Sequence, residues 1–201
     1  MSERLDLSDP IAVLLRVASA LRAHGVENAA YGGLALAVYG EPRETKDADL
    51  AVAGTDSIAS QRALGALGVE VVKVFDRVRF GGNLITRFTL VESAGGAGLN
   101  TADLVEPRSA RYAREALDRA MEGTLRGETI RVLAPEDFVV FKVLSTRDRD
   151  LEDAANVLRA HSSRLDHARI ASELAALATE ISDHDIAARF DRVRDLGSRQ
   201  P

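Results

Sequence analysis

The chain has 201 residues and no cysteine, with 26 basic side chains against 31 acidic ones and a formal charge of −5. This length suits one medium domain, or an α/β head with a small helical tail, and it buries a core without covalent or metal staples; the missing cysteines rule out disulfides and thiol chemistry and accord with a reducing cytoplasm. The acidic balance argues against a protein whose whole surface grips nucleic acid, and the apolar run 11–21 is interrupted by Arg16 and preceded by an acidic segment, so a cytoplasmic chain with no membrane contact is expected.

Asp9 and Pro10 make an N-cap and first-turn pair, after which Leu14, Leu15, Ala18 and Leu21 recur at helical spacing until Gly25. Residues 27–31 read as a short strand. Gly32 and Gly33 turn it into a helix over 34–39, which Gly40 and Pro42 end. Asp47 and Asp49 then alternate with Ala48 and Leu50, and the two-residue period of a strand puts both carboxylates on one face. A helix over 57–67 and a buried strand over 69–75 follow, with further strand pattern at Phe80, 84–90 and 101–105. Asp103, between Ala102 and Leu104, repeats the arrangement of an acid inside a strand and is a candidate to lie beside the first pair. The glycine-rich stretch 95–98 lacks the Lys-Ser/Thr ending of a phosphate-binding P-loop and reads as a hairpin connection.

Between 62 and 90, Arg62, Lys73, Arg77, Arg79 and Arg87 face only Glu70 and Asp76, a basic strip that either meets phosphates or guards a solvated strand edge. A helix over 108–121 and a hairpin, 124–126 with 129–133 around Gly127, complete the mixed part of the pattern. Pro135 opens a helical regime with helices at 136–146, 151–161, 166–178 and 183–196. The expected organisation is a head over 1–134 and a helical C-terminal region over 135–201 that closes the same cleft. The four histidines are scattered without zinc-ligand spacing, and the sparse aromatics make no broad base-stacking platform.

Three carboxylates on neighbouring strands suit Mg2+, a hard cation that keeps positions open for substrate oxygens. Their order is Tyr31-Gly32-Gly33, thirteen residues, Asp47-Ala48-Asp49-Leu50, and later Ala102-Asp103-Leu104. That order resembles the signature of the DNA polymerase beta-type nucleotidyltransferase superfamily. Arg43 and Thr45, with the run 135–158 that contains Lys142, Arg147, Asp150 and Asp153, are similar to the abortive-infection (AbiEii-like) type IV toxin nucleotidyltransferases.

The resemblance implies an α/β (α+β) fold, a nucleotidyltransferase head with a mixed sheet flanked by helices plus a C-terminal helical region. It implies an enzyme that moves an NMP from an NTP to an acceptor. Asp47, Asp49 and Asp103 would hold Mg2+, and Gly32 and Gly33 would let the triphosphate approach the backbone. Arg43, Thr45, Lys142, Arg147 and Asp150 would serve the nucleotide, Lys142 by contacting the triphosphate. For Thr45 a plain β-branched strand residue is an equal reading. Lys142 also reads as a surface lysine with its stem along an amphipathic helix, and Asp150 and Asp153 as ordinary first-turn acids. The toxin likeness implies tRNA as acceptor and an antitoxin protein as partner. Alternatives are an antibiotic or other small molecule as acceptor, or a non-catalytic relative that only binds nucleotide or protein.

Overall fold

The computed structural model describes residues 5–93 and 98–198. In chain order the elements are α1 (Pro10–Ala23), β1 (Asn28–Tyr31), α2 (Gly32–Tyr39), β2 (Ala48–Val52), α3 (Ser57–Gly65), β3 (Glu70–Phe80), β4 (Asn83–Val91) and β5 (Leu99–Pro107). Then come α4 (Ala110–Asp118), β6 (Met121–Leu125), β7 (Glu128–Val132), α5 (Pro135–Leu144), α6 (Asp148–Ala160), α7 (His167–Glu180) and α8 (Ile186–Ser198).

The described strands form one seven-stranded mixed sheet in the order β3-β4-β5-β2-β1-β7-β6. Three hairpin-like antiparallel pairs, β3/β4, β4/β5 and β6/β7, are joined through the antiparallel pair β1/β2 by two parallel contacts, β2/β5 and β1/β7. Strand alternation decides which helices cover which face. Asn28 donates its side-chain amide to the Ala18 carbonyl of α1, at 3.2 Å. Tyr31, three residues on, points the other way and packs on Phe138 and Phe141 of α5, with ring centroids 5.6 and 5.4 Å away.

Local chemistry explains the boundaries. The Asp9 carboxylate accepts hydrogen bonds from the amides of Ile11 and Ala12, and Pro10, which lacks a donor, occupies the first helical position. Val13, Leu14, Val17, Ala18 and Leu21 then form a buried stripe. Helix α5 is different: every residue from Asp137 to Leu144 is buried, so it is the central post of the C-terminal region, with α6, α7 and α8 packed around it. The hydrophobic core is continuous from Leu5 to Val193 and unites the mixed sheet with those helices.

Four expectations need correction. Helix α2 begins at the glycine pair itself. Asp47 sits in a bend just before β2, not in the strand. Strand β3 is not buried at any position, and it does not end at Phe75 but runs to Phe80, through register shifts between Lys73 and Phe75 and between Phe75 and Val78, with Arg77 at φ 47°. A bulge shifts the side-chain alternation, and an edge strand tolerates the solvated charges Asp76, Arg77 and Arg79, so the periodic signal stops early. Helix α4 stops at Asp118, and residues 121–125 are taken by the short edge strand β6. Of the glycine-rich stretch, residues 95–97 lie outside the described residues; Val91 opposite Leu99 on its flanks is the antiparallel pairing a hairpin connection requires. Among the described residues, no helix is long and apolar enough to cross a membrane.

Candidate active site

Four polar side chains line up across the sheet. Tyr31 of β1 is the register partner of Asp49 on β2, Asp49 of Asp103 on β5, and Asp103 of Arg87 on β4. Register partners share a face, so this row lies on the side covered by α5. Asp47 stands two residues before Asp49 and is exposed, whereas Asp103 is buried. Both Asp103 oxygens accept from Arg87, Oδ1 from Nε at 2.8 Å and Oδ2 from Nη2 at 2.6 Å, and the guanidinium lies over the Phe75 ring at 5.5 Å.

The glycine pair makes room for this row. Gly32 has φ +71°, and a Cβ there would fall 1.9 Å from the Asp49 Oδ2. A Cβ on Gly33 would meet the Thr45 side chain at 2.8 Å and the Arg43 guanidinium carbon at 3.1 Å. Asp49 therefore packs closely against one glycine, and Thr45 and Arg43 against the other. Thr45 is a loop residue, not a strand residue.

Beside the row is a polar cavity of about 380 Å3 lined by Arg43, Glu44, Thr45, Lys46, Asp47, Asp49, Arg147, Arg149 and Asp150. Its walls come from the loop ahead of β2 and from the start of α6. A larger hollow of about 600 Å3, between α1 and the β6/β7 hairpin, contains none of the candidate residues. Burial, then the adjacent Asp103, pushes the Asp49 carboxyl up to about 7; Asp47 adds to this and Lys142 and Arg147 oppose it. Asp150 goes the other way: although burial raises it, Lys142 and Arg147 hold it down at about 2.

Lys142 is not on the cavity wall. Its ammonium is buried, 2.5 Å from Asp150 and 3.0 Å from Asp153, over the rings of Tyr31 and Phe138. Neither the surface-lysine reading nor the expected open presentation to a triphosphate matches this position. Asp150 and Asp153 are likewise more than first-turn acids, because both are buried ion-pair partners.

Asp47 and Asp49 supply hard oxygens at the cavity, and Asp49 stands beside the Asp103 carboxylate of the neighbouring strand. Those two fit a divalent cation. Asp103 is adjacent, but its oxygens already serve Arg87, and among the described residues no three acidic or histidine side chains close into one metal cage.

Sequence reasoning missed Arg87 as the partner of Asp103, as well as Arg149 and Lys46 on the cavity wall. Arg87 was visible only as part of the basic strip, and that strip is largely neutralised: Lys73 pairs with Asp76, Arg77 with Glu106, Arg79 with Asp183 and Arg87 with Asp103. Only strand register, absent from composition, marks the last of these pairs.

No protein-family model and no curated protein matches the chain. Among solved structures it is similar to the crystal structure of ANT(2'')-Ia in complex with adenylyl-2''-tobramycin, with TM-score 0.52 and 15% identity, covering 85% of this chain and 97% of that one. The solution structure of the antibiotic-resistance factor ANT(2'')-Ia gives TM-score 0.50 and 16% identity over 86% of this chain and 97% of that one. An antigenic nucleotidyltransferase-like protein from Paracoccidioides brasiliensis aligns at TM-score 0.48 and 17% identity, over 93% of each chain. With its mixed seven-stranded sheet flanked by helices, the chain has the nucleotidyltransferase fold.

Proposed function

We propose that this protein transfers an NMP unit from an NTP to an acceptor hydroxyl. The observation that carries the reading is Asp49 beside Asp103 on adjacent parallel strands, at the rim of a polar cavity in a nucleotidyltransferase fold. In the transfer, an acceptor oxygen bonds to the α-phosphorus, the bond from that phosphorus to the bridging oxygen of the β-phosphate breaks, and pyrophosphate leaves with the electron pair. The acceptor proton passes to a carboxylate or to water.

The cations on the cavity wall suit the triphosphate: Arg147 and Arg149 from α6 and its cap, with Arg43 and Lys46 from the loop ahead of β2. Asp47 and Asp49 would hold Mg2+, which when bound neutralises phosphate charge and favours the ionised acceptor. Asp49, with its carboxyl near 7, shifts between protonated and ionised forms around neutral pH, so it takes up a cation by releasing a proton. Residues 135–201 act here as one wall of the site, since Arg147, Arg149 and Asp150 close the cavity from that side.

The AbiEii-like reading is supported by the way Arg43, 110 residues before Asp153, joins Lys142, Arg147, Asp150 and Asp153 in one ion-pair network beside the acids. On that reading the acceptor is the end of a tRNA in the cytoplasm and an antitoxin protein is the partner. An antibiotic or another small molecule is the other acceptor class. The experiment is incubation with each labelled NTP and Mg2+ in three arms, total tRNA, a panel of aminoglycosides and cell lysate, with Asp49→Asn alongside. Label incorporation by the wild type alone supports transfer and the productive arm names the acceptor; absence of wild-type incorporation in every arm, with NTP bound unchanged, returns the chain to a nucleotide-binding role.

A further inference from the structure

Lys142 is 1% exposed, and its ammonium sits between two carboxylates, Asp150 at 2.5 Å and Asp153 at 3.0 Å. Each carboxylate has a second cation that reaches outward. Asp153 accepts from Arg43 at 3.0 and 3.1 Å, and Asp150 accepts from Arg147 at 2.7 Å. Those arginine side chains are 26% and 57% exposed, and both line the cavity that Lys142 does not reach. Three cations thus meet two carboxylates in this network, and Glu44, Asp47 and Asp49 are further acids on the same cavity wall.

The geometry leaves hydrogen-bonding capacity where the charge is. An arginine has five N–H donors. Arg43 spends its donors on Asp153 and on the Glu44 carbonyl, and Arg147 spends its own on Asp150, so each keeps N–H groups for a ligand. Lys142 is fixed more firmly than either, because the Tyr31 and Phe138 rings lie 4.9 and 5.3 Å from its ammonium. A buried ammonium is kept in such a place only when it is paired, and removing it would leave two carboxylates repelling each other.

We propose that Lys142 is a positioning residue that sets the separation of Arg43 and Arg147 through Asp153 and Asp150, so that two guanidinium groups grip one polyphosphate. Lys142 itself does not touch the ligand. The inference rests on the nucleotidyl-transfer reading and names the polyphosphate grip of that same site. It also assigns the lysine of the motif a role through its neighbours, with the arginines making the contact.

The test is calorimetric titration of magnesium tripolyphosphate into the full chain, as wild type, Arg43→Ala, Lys142→Met and the double variant. Each single change is expected to weaken binding about tenfold, the scale of one charge-assisted contact. If the lysine works through the arginine, the double variant loses clearly less than the product of the two, roughly a hundredfold for independent sites. Independent losses in the cycle, or wild-type affinity in Lys142→Met, would overturn the inference while leaving the cavity as the phosphate site. A wild type that binds no tripolyphosphate would overturn the transfer reading, and the inference with it. Should Lys142→Met fail to fold, Asp153→Asn, nearly equal in volume and off the cavity wall, replaces it in the cycle with Arg43→Ala. Coupled losses again support the proposal and independent or absent losses overturn it. A purely structural lysine would lower the melting temperature and the bound fraction without coupling to Arg43.

Discussion

Asp103 gives both of its carboxylate oxygens to Arg87, its register partner on β4, in the row where Asp49 stands next to it on β2. Arg87 is thereby the resident counter-ion of the acid cluster. Its own pKa is raised, chiefly by the hydrogen bonds to Asp103, with Asp47 and Asp49 contributing through space.

Removing that counter-ion has two opposed effects. Arg87→Ala frees Asp103 to bind a cation but leaves a buried carboxylate unpaired. We expect a stability loss of about 3–5 kcal/mol in metal-free solution, together with Mn2+ binding several-fold tighter than in wild type, read by electron paramagnetic resonance. Unchanged Mn2+ affinity would mean that Asp103 does not compete for the ion.

Asp49→Asn is expected to remove at least about a hundredfold of transfer activity, roughly 2.7 kcal/mol of barrier, while the fold persists. The pH dependence has a definite sign. The folded-state carboxyl lies at about 7, above the usual carboxylate range of about 4, so the native chain binds more protons across that window and this group's contribution to stability falls as pH rises from about 4 through 7. Melting in EDTA should therefore show Asp49→Asn gaining on wild type at pH 8 and less at pH 5. Parallel curves for the two proteins would place the Asp49 carboxyl in the ordinary range.

Gly32→Ala combines two penalties that Gly127→Ala separates. Both positions have positive φ, +71° and +82°, so each substitution carries about 1–2 kcal/mol of backbone strain. Nothing lies within 4 Å of a Cβ at Gly127, but at Gly32 the new methyl displaces the Asp49 carboxylate. Both variants should melt lower, and only Gly32→Ala should also lose Mn2+ affinity and transfer. Equal activity in the two would show that the Asp49 position is not set by this glycine.

Asp137 is a contrasting buried acid. It accepts from the Tyr112 hydroxyl at 2.8 Å and from Arg119 at 3.0 and 2.7 Å, away from the cavity residues, and is 2% exposed. Asp137→Ala is expected to cost about 3–5 kcal/mol by stranding its partners, measured by urea unfolding, with tripolyphosphate affinity unchanged in the folded fraction. A selective affinity loss without destabilisation would move Asp137 into the site.

Much of the design is local and is written in the chain order. Glycine pairs, capping acids and the two-residue alternation around Asp49 and Asp103 act through backbone conformation and strand parity, which depend on neighbouring residues alone, so the elements and the acid motif were legible before any contact was known. The partners were not. Arg87 finds Asp103 across 16 residues and Arg43 finds Asp153 across 110, pairings that exist only once register and helix docking are set. Lys142 illustrates the limit: the apolar run around it reads as a phosphate-contacting lysine or a surface one, and its burial is decided by whether carboxylates arrive from elsewhere to offset its desolvation. Folding brought two, and the Lys142 ammonium stands between them at the centre of an ion network.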